Sequence, residues 1–314
     1  MEFNDFCNEI RDNIGEYLLG YDFDNIQLQE VTHNNNTTHM GLLISRSEVN
    51  VAPTIYMEQY YKQYQDTGDM DAVIKEIAET YKASLESTND LRTEIFNQKE
   101  QYFSNCYLKV VNYEKNKDML QDVPYKKYMD LAVTIRMLVR VDETGMASAI
   151  VTHDHTARLG INEKDLYAAA LKNTEFLFPV RIDKLEDVIR NLDSFGLAQE
   201  ELPDTGIYVL SNLPRIAGAT SILYAQDQIT ELAEEHGCGF YIVPSSTREV
   251  LLCPDNDEMD PEMLQRTAME VNEYVVSDTE FLSNSIYHFD KDRQEIKMEL
   301  PDPQSADRQN QRGI

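Results

Sequence analysis

The hydrophobic period of this chain switches repeatedly between that of a helix and that of a strand. Phe3, Phe6, Cys7, Ile10, Ile14, Tyr17 and Leu18 recur at three-and-four spacing, which places them on one helical face. Gly20 closes that run. Ile26 and Leu28 then alternate with Gln27 and Gln29, and residues 40–44 form a second strand-like run. The turn formers Thr-His-Asn-Asn-Asn-Thr-Thr at 32–38 lie between them, so a β-hairpin is predicted. Pro53 is expected to open a helical region carrying Tyr56, Tyr60, Tyr61 and Tyr64, broken at Thr67-Gly68-Asp69. Residues 70–87 read as a further helix, with Val73, Ile74, Ile77, Ala78, Tyr81 and Leu85 on one face.

The second half alternates faster. Strands are predicted at 107–113, 131–141 and 146–152, the last two joined by an Asp-Glu-Thr-Gly turn. Asn162 is a good N-cap, with Asp165 at the third helical position, for a helix to about residue 173. Next come an extended Phe176/Phe178 piece and a helix near 183–192. Strands at 207–210, 240–243 and 249–253 flank a helix near 227–236. Asp260-Pro261 starts another helix, and 285–289 with 294–298 form a closing hairpin. This order favours an α+β fold, with mixed or mainly antiparallel sheets packed with helices, over a doubly wound parallel sheet. The expected organisation is a helix-rich part at 1–122 bearing the hairpin, an α+β part at 123–300 and a disordered tail at 301–314. Gly196, Pro203 and Gly206 make 193–206 a possible sub-boundary.

Fifty-six Asp and Glu against 28 Lys and Arg leave a net charge of −28, concentrated in the first and last thirds. Such a surface repels phosphate backbones and anionic lipid, so neither direct nucleic-acid binding nor membrane binding is expected. The acids are scattered singly, which favours a solvated surface over an acidic DNA mimic. No stretch is apolar enough to span a bilayer, and the acidic N-terminus lacks the features of a secretory signal. Cys7, Cys106, Cys238 and Cys253 show no C-x-x-C spacing. A cytoplasmic setting is therefore expected.

Few residues carry chemistry in a recognisable pattern. The 12 glycines form neither G-x-G-x-x-G nor a P-loop, so no cofactor is expected. His153-Asp154-His155 is the one cluster of ligand-type residues. Two imidazoles two apart can share a side of an extended segment, with His153 and His155 as metal candidates. The favoured alternative is a polar turn in which Asp154 caps a short helical turn reaching Arg158, and no metal is expected. Ser245 and Ser246 are the candidate nucleophiles, but a hydroxyl-rich turn explains them better. The segment Asp255-Asn-Asp-Glu-Met-Asp260 departs from a calcium loop at its fifth position (Met259), at its sixth (Asp260, where the turn needs Gly) and at its twelfth (Arg266, where a bidentate Glu is required). Arg136 and Arg140 lie four apart on one strand face, able to clamp an anion and more readily paired with surplus acids.

Several strings carry a resemblance. These are Ala52-Pro-Thr-Ile-Tyr-Met-Glu58, Val111-Asn-Tyr-Glu-Lys-Asn116, Asp130-Leu-Ala-Val133, Tyr208-Val-Leu-Ser-Asn212, Gly239-Phe-Tyr-Ile-Val-Pro-Ser-Ser246 with Glu249-Val-Leu-Leu252, and Leu282-Ser-Asn-Ser-Ile-Tyr287. In this order and spacing the chain resembles an uncharacterised bacterial domain-of-unknown-function family (family 5688), widespread in gut Firmicutes, over about residues 5–298. The resemblance implies a single recurring unit in a bacterial cytoplasm, and no activity, cofactor or catalytic residue. The resulting expectation is a non-enzymatic interaction or adaptor protein with a protein partner. The alternatives are an enzyme, perhaps a metal-assisted hydrolase, at His153–His155 or Ser245–Ser246, and an acidic DNA mimic.

Overall fold

A computed structural model describes residues 1–46, 53–88, 93–142, 145–192, 203–256 and 259–304. The contacts divide the chain into two compact units. Unit 1 is residues 1–97 with 139–147, and unit 2 is 98–138 with 148–314.

Unit 1 opens with α1 (Phe3–Tyr17), which buries Phe6, Cys7, Ile10 and Ile14 on the face read from the sequence. Strands β1 (Asn25–Thr32) and β2 (Thr38–Ser45) form the expected hairpin, from Asn25↔Ser45 to Thr32↔Thr38. Asn35 and Asn36 take left-handed backbone in its turn, which asparagine tolerates well. Residues 54–56 do not open a helix as expected. They form β3 (Thr54–Tyr56), paired with β2, and α2 (Met57–Thr67) begins after it. Two β-branched residues suit that edge, and Gly41 admits it: a Cβ there would sit 2.5 Å from the Thr54 methyl. Gly68, at φ 68, ends α2. Helix α3 (Met70–Thr88) buries all six apolar residues named for its face. Tyr60 is buried with its hydroxyl on Thr80, while Tyr61 and Tyr64 pack on Phe6, so these tyrosines serve the core.

Unit 2 begins with α4 (Lys99–Asn105) and β4 (Cys106–Asn112). Then come β5 (Tyr125–Tyr128), β6 (Leu131–Asp142) and β7 (Gly145–Ile150), the last two counting with unit 1 over residues 139–147, in a sheet ordered β4-β6-β5 with β7 also on β6. Two helices follow, α5 (His153–Arg158) and α6 (Glu163–Leu177). Asn162 caps α6 through the Lys164 and Asp165 amides. Phe176 belongs to the last turn of α6 rather than to an extended piece, and it is exposed.

A second, six-stranded sheet is ordered β13-β12-β10-β11-β9-β8. Its members are β8 (Val180–Lys184), β9 (Tyr208–Asn212), β10 (Phe240–Val243), β11 (Val250–Pro254), β12 (Ile286–Asp290) and β13 (Glu295–Leu300). Helices α7 (Leu185–Leu192), α8 (Gln226–His236) and α9 (Pro261–Val275) punctuate it. The described pairings are antiparallel, and the fold is α+β. Most of the possible sub-boundary, and the tail beyond residue 304, lie outside the described residues. No described helix is long and apolar enough to cross a membrane.

Candidate functional site

One carboxylate gathers much of the polar chemistry of unit 2. Tyr128 ends β5 and pairs with Leu131 at the start of β6, so Met129 and Asp130 alone make the turn. Asp130 Oδ2 accepts from the Ser283 hydroxyl (2.5 Å) and the Ser285 hydroxyl (2.8 Å), and Oδ1 accepts from the Tyr287 hydroxyl (2.5 Å). Burial, and after it the Asp130 charge, holds the Tyr287 phenol well above its ordinary value. Burial pushes Tyr128 up to about 12. Both phenols are therefore donors at neutral pH, not bases.

The Ser-Asn-Ser stretch before β12 runs outside the regular ladder, so its backbone groups need other partners. Asn112 Nδ2 donates to Leu282 O (2.7 Å). Gln265 Nε2 donates to Asn284 O (2.9 Å) and Pro301 O (3.0 Å). The Leu282 and Ser283 amides donate to Ser245 O and Pro244 O. Asn272 Nδ2 reaches Asn284 Oδ1 at 3.0 Å.

One atom of this network is left over. Asn272 is 6% exposed, and its Oδ1 is buried with no hydrogen-bond partner among the described residues. Asn272 lines a recess of about 570 Å³ along one flank of α9. Arg266, Met269, Glu270 and Glu273 come from that flank at helical spacing. Lys115, Phe281 and Asn284 also line it, with the Lys115 ammonium 4.2 Å from the Phe281 ring centroid. Nearby, the Asp302 amide donates to Ser285 Oγ, and burial raises its carboxyl. Amides, both signs of charge and apolar surface suit binding, because the hydroxyls here already donate to Asp130.

The residues singled out in the sequence have other surroundings. His153 Nδ1 meets Glu163 Oε1 at 2.7 Å, both side chains being about half-exposed, and both line a smaller recess of about 290 Å³. His155 turns back on the N-terminus of α5. Its amide donates to Thr152 Oγ1, and its Nδ1 accepts the Thr152 amide. Thr152 with His155 thus forms the cap expected of Asp154, because the Thr152 hydroxyl sits at the N-cap itself. Asp154 is exposed in the first turn. Among the described residues, no group of three or more His, Cys, Asp or Glu side chains could hold a metal ion.

Ser246 Oγ accepts the Arg248 amide across a local turn, and Ser245 supplies its carbonyl to Leu282. No described imidazole is bonded to either hydroxyl; His236 Nε2 meets the Tyr208 hydroxyl at 2.8 Å. Arg136 donates to Ser148 Oγ and Ser148 O. Asp255 pairs with His288 at 2.6 Å, while residues 257–258 of that loop lie outside the described residues. The four cysteines are free, and burial pushes Cys7 up to about 11 and Cys106 and Cys253 up to about 12.

Sequence reasoning missed Asn272 and Asp130 as site residues. A signal existed for Asn272: it follows Gln265 by seven, so both lie on one face of α9, and both are buried amides in an amphipathic helix. Three of the strings behind the resemblance meet here, contributing Asn112 and Lys115, Asp130, and residues 282–287. No curated protein and no solved structure matches the chain. Residues 3–291 match a family described as a family of unknown function (DUF5688), and the chain belongs to that family.

Proposed function

We propose that this is a non-enzymatic interaction protein of the bacterial cytoplasm, and that the recess beside α9 receives a polypeptide segment of a protein partner. The observation that carries this reading is a recess lined by the carboxamides of Asn272, Asn284 and Gln304, with Asn272 Oδ1 buried beside it and without a hydrogen-bond partner among the described residues. A buried acceptor without a donor costs about 1–3 kcal/mol. Asn284 and Gln304 add carboxamides, and an amide side chain matches both the N–H and the C=O of a peptide. Met269, Val276 and Phe281 offer apolar surface to its side chains. The volume falls within the usual range for ligand sites. The acidic surface favours a basic partner and disfavours nucleic acid and membrane.

Selection of displayed random peptides on the purified protein tests this. Enriched sequences should bind wild type and lose roughly tenfold in affinity on Asn272→Ala, with the variant still folded by circular dichroism. Failure to enrich any sequence, or binding indifferent to both Asn272→Ala and Met269→Asp, would overturn the proposal.

A second reading rests on the His153–Glu163 pair at the smaller recess, which leaves His153 Nε2 available as a base in an enzyme. Hydrolysis of a panel of activated esters, abolished by His153→Ala, would favour it; activity equal in the variant would remove it.

A further inference from the structure

We infer that the smaller recess, beside α6, binds a small organic acid, holding its carboxylate with two lysines and its apolar body against a buried floor. The inference depends on neither reading of the function above.

The charges around the recess point to an anion. Acids outnumber bases two to one in this protein, yet here two lysines, Lys126 and Lys164, stand against one carboxylate, Glu163. Glu163 is already engaged. Its Oε1 accepts the Thr156 hydroxyl at 2.9 Å and faces His153 Nδ1 at 2.7 Å. Neither lysine ammonium has a carboxylate within 4 Å among the described residues. With His153 neutral, the lining keeps one positive charge in excess, the reverse of the whole protein, and one anionic group would balance it.

The donors are set in place by the elements that carry them. Lys126 lies on β5 opposite Val133, and its ammonium stands 3.5 Å from the centroid of the Tyr167 ring. That contact holds the charge at the wall of the recess. Lys164 and Tyr167 are three apart on α6, so they share a side of the helix. Tyr167 is half-buried, and its hydroxyl has no hydrogen-bond partner among the described residues. Burial raises the phenol above its ordinary value, so it remains a donor at neutral pH. Two ammoniums and a phenol suit the two oxygens of a carboxylate.

The rest of the lining limits the ligand. Val123, Pro124 and Ile135 are buried and offer apolar surface to its body. A volume of about 290 Å³ is at the lower end for ligand sites, which fits a compact aromatic or branched aliphatic acid rather than a nucleotide. A phosphate ester, carrying close to two negative charges, would leave the recess net negative beside Glu163.

Calorimetric titration with a panel of small aromatic and branched aliphatic acids, each paired with its primary amide, tests the inference, with phenyl phosphate as a further probe. At least one acid should bind roughly tenfold more tightly than its amide. Lys126→Gln, and separately Lys164→Gln, should each weaken that acid about tenfold. Lys127→Gln removes the same charge from β5 outside the recess and should leave its affinity unchanged, as should Asn272→Ala at the larger recess. Circular dichroism checks that each variant is folded. The inference is overturned if no acid of the panel binds, if acids and amides bind alike, or if Lys127→Gln weakens binding as much as Lys126→Gln does. Phenyl phosphate binding more tightly than every acid would assign the recess to phosphate esters and overturn it as well.

Discussion

Asp130 accepts three hydroxyls at once, those of Ser283, Ser285 and Tyr287. Replacing it with alanine would leave them under-satisfied in a site where Ser283, Ser285 and Tyr287 are fully buried. Asp130→Ala should therefore destabilise the protein by about 3 kcal/mol, and Tyr287→Phe by about 1 kcal/mol, measured by urea denaturation. Lys109 gives the opposite case. Burial first, and then the neighbouring Arg136, bring its amine down to about 8, with Glu280 opposing. The unfolded lysine holds its proton to higher pH than the folded one. The penalty is thus present in full below pH 8, and stability rises with pH above that value. Lys109→Met should stabilise the fold by about 1 kcal/mol at neutral pH and flatten that rise, as read from denaturation midpoints across the pH range.

Among the elements, α5 shows how a motif can mislead. Its His-Asp-His string has ligand character, yet His155 is bound into the cap with Thr152 and His153 faces Glu163. Burial, then Arg158, lowers the His155 imidazole below its ordinary value. Its neutral form is favoured in the fold, so the stability it adds is full above the unfolded value of 6.5 and falls as pH drops through it. Protonation also removes the Nδ1 acceptor from the Thr152 amide. Thr152→Ala should cost about 1 kcal/mol. His155→Gln keeps a capping-box residue and should narrow the gap in melting temperature between mildly acidic and neutral buffer. β3 makes the same point about context. Residues 54–56 follow a proline and precede a helix, and only the docking of β2 over Gly41 turns them into a strand. By contrast α1, α3 and the β1–β2 hairpin were legible, because each buries one face and the period of its apolar residues records which face that is.

For the whole molecule, charge is the governing quantity. A net −28 on 314 residues places like charges throughout the surface, and their repulsion opposes compaction. Raising sodium chloride from about 0.05 to 0.5 M shortens the screening length from over 10 Å to under 5 Å, and should raise the melting temperature at neutral pH by a few degrees. Duplex DNA should show no mobility shift with the protein at either salt concentration, a direct check on the expectation that it avoids nucleic acid.

The sequence by itself determined the α+β class, the antiparallel hairpins, most helix faces and the acidic surface. Those properties are written locally, in residue spacing, turn formers and composition. Family membership was legible too, from strings spread along the chain. The candidate site was not legible. Asn112, Lys115, Asp130, Asn272 and Ser283 come from β4, the turn after it, the β5–β6 turn, α9 and the approach to β12. The bond between Asp130 and Ser283 spans 153 positions. An orphaned acceptor is defined by every group that fails to reach it, and a shared carboxylate by every hydroxyl that converges on it. Only the folded arrangement supplies that information, because each is a property of the assembled surroundings rather than of any segment.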